Sequence, residues 1–254
     1  MSATTIAVAS FLLLVAAGAV APAPARADCA AKADTFSPPR GARDVPTNVK
    51  PFIALYGYGR AQVVKLLRAG AYLRAKGHRV KVTPRAYTGY ATESVVLSPA
   101  SALRPNTTYS LDVTTPQGAR LLSYSFTTGA SRDTRAPGSP SPRNVKHTYT
   151  RFGCGPADRI AFELAGALSD DKTPAKALRL RFDVVERAPG RKPHKRVVVA
   201  LPGSRSLGHG MCAGNAELRP CATYDFRVSV VDYAGNISAP SPKLSVKTKC
   251  RRTP

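Results

Sequence analysis

The sequence predicts an all-β protein, two tandem Greek-key β-sandwiches behind a cleaved signal peptide, and three observations predict it. The first is a repeated string. Leu103-Arg104-Pro105-Asn106-Thr107-Thr108-Tyr109 and Leu218-Arg219-Pro220-Cys221-Ala222-Thr223-Tyr224 share Leu-Arg-Pro-x-x-Thr-Tyr. The second is the alternation directly after each copy. Beyond Tyr109, Leu111 and Val113 alternate with Ser110 and Asp112; beyond Tyr224, Phe226, Val228 and Val230 alternate with Asp225, Arg227 and Ser229. Period-two patterning marks a half-buried strand. The third is that several further short strand candidates, broken by turn-forming residues, surround both copies. Within each string the proline fixes φ and stops the preceding strand, and the leucine plugs the core beneath the turn. Tyr109 and Tyr224 are then placed to bury their rings and turn their hydroxyls back to the backbone upstream. That is the tyrosine corner of Greek-key sandwiches.

The chain opens with a processing segment, residues 1–27. Residues 6–21 are almost wholly apolar, and Ala25-Arg26-Ala27 is an A-x-A cleavage pattern that leaves Asp28 as the mature N-terminus. The apolar run is short for a spanning helix, which needs about 20 residues. No Lys or Arg precedes it, so the α-amino group alone supplies the positive charge. Asp28 stands before Cys29, where a lipid-attachment signal needs a small residue. The mature chain holds no further long apolar run and is expected to carry no transmembrane segment.

Residues 28–34 read as a tail and 35–129 as the first sandwich. After the turn-formers of 37–48 come strand candidates at 51–56, 62–68, 78–83, 94–97, 109–114 and 121–127. In 78–83, Val80 and Val82 face one way while Arg79 and Lys81 face the other. Residues 130–142, rich in Ser, Arg, Gly and Pro, read as a linker made semi-stiff by Pro137, Pro140 and Pro142. The second sandwich spans 143–250, with strands at 158–164, 178–186 and 195–201; Leu178, Leu180, Phe182 and Val184 line one face. The strand after Tyr224, the Gly235-Asn236 turn and a proline-bearing return strand form a hairpin. Residues 251–254 are a C-terminal tail.

Three strings give the first unit a family likeness: Pro38-x-x-Gly41-Ala42-x-Asp44-Val45-Pro46-x-Asn48, then Val95-Val96-Leu97-x-Pro99-x-x-x-Leu103-x-Pro105-Asn106-Thr107-Thr108-Tyr109, then Ser125-Phe126-Thr127-Thr128-Gly129. Over residues 35–129 the chain resembles a bacterial Ig-like domain of the SbsA type, found in surface-layer and other exported proteins. It departs in the middle. Tyr56-Gly57-Tyr58-Gly59-Arg60 stands where family members place a Phe-Ser-Glu-Pro segment. The resemblance implies a spacer or display module without shared catalytic residues. Asp133-x-x-Ala136-Pro137-x-x-Pro140 and the hairpin of 224–240 resemble a fibronectin type III module over 134–250. That family usually buries a tryptophan on an early strand; this chain has none, and Phe162 takes its place in the expectation.

Formal charge is +23 and the isoelectric point about 10.4. Such a balance suggests nucleic acid in a cytoplasmic protein, but export redirects it to anionic surface polymers: lipopolysaccharide, acidic glycans or extracellular DNA. The expected partners are those polymers or other envelope proteins, and not intracellular nucleic acid. The charge is clustered. No acidic residue lies between Asp44 and Glu93 or between Glu186 and Glu217. Arg79 and Lys81 in the first stretch, with Lys192 and Lys195 in the second, are the candidate polyanion-binding residues.

Five cysteines, without any C-x-x-C or zinc and haem spacing, fit an oxidising compartment. Folding the last hairpin brings Cys221 near Cys250, leaving Cys154 for Cys212 and Cys29 unpaired; other connectivities remain open. His209-Gly210-Met211-Cys212 looks briefly like a copper loop, but such sites need two histidines. Asp170-Asp171 offers calcium ligands, against the plainer reading of a solvated turn; Asp232 and Asn236 are expected to bond their own turn, with a ligand role as the alternative. No G-x-S-x-G or phosphate loop occurs. No catalytic residue, cofactor or metal is expected. The leading function is a non-catalytic envelope or secreted protein that spaces, displays or adheres; the alternative is a basic polyanion-binding protein; a divergent enzyme or accessory fragment is the third class.

Overall fold

A computed structural model describes residues 34–56, 60–152 and 155–250. These residues are mostly strand with one short helix, as an all-β protein requires. The N-terminal half contains β1 (Thr35–Ser37), β2 (Ala42–Val45), β3 (Phe52–Tyr56), α1 (Arg60–Ala69) and β4 (Ala71–Ala75). It continues through β5 (His78–Thr88), β6 (Thr92–Pro99), β7 (Thr108–Thr114) and β8 (Arg120–Thr128). One hydrogen-bonded sheet runs β1-β3-β6-β5-β4-β7-β8-β2. The long β5 makes this possible. Its first half pairs with β4 and its second half, from Val82 onward, with β6. The outer strands β1 and β2 are joined by the short stretch 38–41, so the sheet must fold until its two edges meet. Phe36 stacks on Tyr124 at 4.9 Å across that closure, and the Tyr124 hydroxyl donates to the Pro38 carbonyl.

The strand expected at 62–68 is a helix. Val63, Val64 and Leu67 are buried while Gln62, Lys65 and Arg68 are exposed. Spacings of one, three and four residues place the three apolar side chains on one helical stripe. Gly70, at φ 148°, turns the chain sharply into β4.

The C-terminal half contains β9 (Pro142–Phe152), β10 (Gly155–Leu164), a single 3-10 turn (Ala175–Ala177), β11 (Arg179–Arg187) and β12 (His194–Val199). Then come β13 (Ser206–His209), β14 (Thr223–Val231) and β15 (Leu244–Lys247). Two sheets, β13-β10-β9 and β12-β11-β14-β15, close on one core. Ile160 and Phe162 come from the first, and Leu180, Phe182, Val184, Phe226, Val228 and Val230 from the second. Phe162 meets Phe182 edge-on at 5.9 Å within this core. No apolar alternation announces β2, β9 or β13, and that of β4, with Ala71 and Leu73 inward, is only five residues long; β9 is largely exposed and carries Arg143, Lys146 and Arg151.

Both tyrosines of the repeated string are buried. The Tyr109 hydroxyl accepts the Arg104 N–H at 2.9 Å, and the Tyr224 hydroxyl accepts the Arg219 N–H at 2.7 Å. Leu103 and Leu218 lie beneath, in the two separate cores.

Candidate functional site

The two halves meet along a seam that begins in β3. Its run Phe52-Ile53-Ala54-Leu55 is apolar throughout because both faces are covered. Ile53 and Leu55 point into the N-terminal core, while Phe52 and Ala54, both 0% exposed, pack on Val199 of β12. Tyr56, Tyr87, Val96 and Leu201 surround this third cluster. Polar clasps close the seam at several points. The Lys50 N–H donates to the Tyr233 carbonyl at 2.7 Å, and Tyr90 and Gly214 exchange backbone hydrogen bonds at 3.0 and 2.9 Å. The Tyr90 ring stacks on His209 at 3.8 Å.

Segment 130–141 is pinned to both halves. Asp133 accepts from Asn48 Nδ2 at 2.7 Å through its carbonyl, and its N–H donates to Asn48 Oδ1 at 2.9 Å. Asn236 Nδ2 donates to the Arg135 carbonyl at 3.0 Å, and the Gly138 N–H donates to the Ser169 carbonyl. Here three carboxylates gather, those of Asp133, Asp170 and Asp232. Burial, with the Asp133 and Asp170 charges behind it, pushes Asp232 up to about 6. Asp133 is raised as well, burial again leading.

A cleft of about 220 Å³ opens at the seam. Lys50, Arg85, Arg179 and Arg181 line it over Val96, Val197 and Val199, and no acidic side chain faces it among the described residues. Arg179 is fully buried. Its Nη2 donates to the Asp232 carbonyl at 2.7 Å and its guanidinium lies 5.0 Å from the Phe52 ring centre. Burial lowers it to about 10, so it remains cationic at neutral pH. Arg181 is paired with Asp183 at 2.8 Å.

Arg79 and Lys81 are exposed on β5, and alternation puts Thr83, Arg85 and Tyr87 on their face. This row runs toward the cleft over about 20 Å. Arg79 lies over the Tyr72 ring at 5.1 Å and directly opposite Arg74, and neither arginine forms a salt bridge among the described residues. Like charges opposed across a ladder destabilise it. Lys195 shares a face of β12 with Val197 and Val199, which line the cleft, whereas Lys192 lies in the exposed β11–β12 turn. Each pair therefore has one strand row leading to the same opening.

Cys221 and Cys250 form a disulfide closing 29 residues. Cys212 is also disulfide-bonded; Cys154, the partner expected for it, lies outside the described residues, as do Cys29 and the signal peptide. His209 stacks on Tyr90 and its Nδ1 meets the Gly210 carbonyl, so it is tied to the seam. Asn236 bonds Asp232 through its N–H and its Nδ2, both at 2.8 Å. A buried pair that no sequence pattern reveals joins His147 Nε2 to Asp158 Oδ1 at 2.7 Å, while His147 Nδ1 accepts the Lys249 N–H. It ties the C-terminal end of the chain to β9 and β10. No helix among the described residues is long and apolar enough to cross a membrane.

No family model matches the chain, and no curated protein matches its sequence. Among solved structures, it is similar to the Bacillus subtilis type I pullulanase solved with maltose, at 9% identity and a TM-score of 0.26, covering 84% of this chain and 24% of that one. It is also similar to titin domains A168–A170, at 11% identity and 0.25, covering 82% and 62%. The N-terminal part of the bacterial S-layer protein SbsC is matched at 12% identity and 0.27, covering 74% and 45%. The chain thus spans less than two thirds of each of these proteins, and overlaps this loose carry no argument about function.

Proposed function

We propose that the protein is a non-catalytic exported module that spaces or displays a surface in the cell envelope. On this reading it consists of two Greek-key sandwiches, Ig-like over 35–129 and fibronectin type III-like over 143–250, joined as one stiff unit. The observation that carries it is the seam. Relative motion is the default between modules unless their interface is extensive and apolar. Here Phe52 and Ala54 are sealed beneath Val199, and Asp133, Asn48 and Asn236 fasten the connecting segment. Fully burying one phenylalanine contributes roughly 2–3 kcal/mol, so splaying the halves is costly. The disulfides support an oxidising location. Small-angle X-ray scattering on the mature protein tests the reading. One fixed particle shape should describe the data, and Phe52→Glu should broaden the distance distribution while both halves keep their strand content. A wild type that already needs many relative orientations would refute the spacer.

The β5 row favours a second reading, binding of an anionic polymer. Arg74 and Arg79 face each other unrelieved, and an anionic partner would remove that repulsion and speed encounter. Binding of this kind weakens steeply with salt. Reversing the charge at Arg79, Lys81, Lys192 and Lys195 should abolish retention on heparin. Failure of the wild type to bind heparin, lipopolysaccharide or DNA at low salt ends this reading.

A further inference from the structure

We propose that Asp133, Asp170 and Asp232 form a binding site for one divalent cation, with Ca²⁺ as its occupant. The site fastens the connecting segment to the C-terminal half, and it stands whether or not the protein is a spacer. The three residues come from three separate stretches: the segment before β9, the loop after β10 and the turn after β14. Each offers one carboxylate oxygen, and these lie within 4.8 Å of one another. Oxygens bound to one Ca²⁺ at about 2.4 Å can be at most about 4.8 Å apart. The spacing therefore lets one ion reach all three.

The second observation is an orphaned oxygen. Asp133 is 1% exposed, yet its Oδ2 has no hydrogen-bond partner, and Asp170 Oδ1 is likewise buried without one. A buried carboxylate oxygen without a donor is costly, and a cation supplies the missing partner. The other oxygens are held by the backbone. Asp133 Oδ1 accepts the Arg135 N–H at 3.1 Å, and Asp170 Oδ2 accepts the N–H groups of Lys172 and Thr173 at 3.1 and 2.7 Å. Asp232 is held on both oxygens by Asn236. The carboxylates are thereby oriented while retaining lone pairs for an ion.

Nearby cations are directed elsewhere. Lys172 Nζ bonds Ser131 Oγ and the Arg132 carbonyl, Arg135 pairs with Asp171 at 3.7 Å, and Arg179 bonds the Asp232 carbonyl. Among the described residues no salt bridge reaches the three clustered carboxylates. Three carboxylates this close repel one another, and a shared cation removes that repulsion. The all-oxygen donor set selects a hard cation over zinc or copper. Ca²⁺, with longer bonds and flexible coordination, accepts any oxygen spacing up to about 4.8 Å, whereas Mg²⁺, at about 2.1 Å from its ligands, needs oxygens within about 4.2 Å and near-ideal octahedral order. Water completes the shell.

Calorimetric titration of the chelator-stripped full chain with CaCl₂ is the test, with thermal unfolding beside it. One Ca²⁺ should bind per chain with Kd between about 10⁻⁵ and 10⁻³ M, raising Tm by about 5 °C near saturation. Asp133→Asn and Asp170→Asn both keep the acceptor used by the backbone, and each should weaken Ca²⁺ at least tenfold. Without Ca²⁺ both variants should melt no lower than the wild type, because each removes a repelling charge. Should one fail to fold, the other carries the comparison. No heat and no Tm change up to about 10 mM Ca²⁺ would overturn the site, as would binding that both variants leave intact.

Discussion

Tyr224 and Asp225, neighbours on β14, hold the fold in opposite directions. The Tyr224 ring is sealed in the C-terminal core and its hydroxyl receives the Arg219 N–H, while Asp225 bonds Ser245, Arg187 and Lys243 at the other face. Tyr224→Phe leaves that N–H without its acceptor and should cost about 1–2 kcal/mol in urea unfolding. Asp225 gives a pH prediction. The Ser245 hydrogen bond, helped by Arg187 and Lys243, lowers its carboxyl to about 2, below its unfolded value of 3.8. The resulting stability is fully present above pH 3.8 and is lost as pH falls through 2. Asp225→Asn should therefore flatten the acid limb of a stability–pH curve below about pH 4 and lower stability at neutral pH; an unchanged limb would contradict the assignment. At this scale the sequence is legible where chemistry is local. The corner tyrosines declare themselves in a repeated string. The Asp133, Asp170 and Asp232 cluster does not, because its members are far apart in the chain and each, alone, resembles an ordinary turn residue.

The elements show which patterns carry information. β5, β11 and β14 alternate cleanly and lie near their expected positions, though β5 runs five residues past its expected end. That extension lets it belong to two parts of one sheet, a choice made by β4 and β6 and not by its own residues. Helix α1 reads as a strand in the sequence because Val63-Val64 and Leu66-Leu67 supply apolar residues to either periodicity, and β-branched valines favour a strand. The stripe through Val63, Val64 and Leu67 decides it through contact with the core. Strands β2, β4, β9 and β13 are short or polar and are placed by pairing together with a few buried side chains, Val45, Leu73 and Leu207 among them. The final hairpin is better specified, since β14 and β15 bring Cys221 to Cys250. Replacing both cysteines by serine frees a loop of this size and should lower stability by about 3–4 kcal/mol, read from the urea midpoint at unchanged slope. A change below about 1 kcal/mol would mean the bond does not constrain the unfolded chain.

At the scale of the whole molecule, the joint matters most, and the sequence announces it only through Phe52-Ile53-Ala54-Leu55, a strand apolar on both faces. Residues 130–142 read as a semi-stiff linker; what stiffens them is docking onto Asn48, Ser169 and Asn236. Gly89 guards the opposite clasp. A Cβ there would lie 2.2 Å from the Gly214 carbonyl oxygen, so Gly89→Ala must push Tyr90 off Gly214 and His209. It should lower Tm by several degrees, equivalent to roughly 1–3 kcal/mol, with the loss shared by both halves. The most direct test of the joint is ¹⁵N relaxation on the mature protein. If the halves are one stiff unit, amides of β3, β5 and β8 and amides of β10, β11 and β14 fit a single rotational diffusion tensor. Separate correlation times for the two halves would contradict the account.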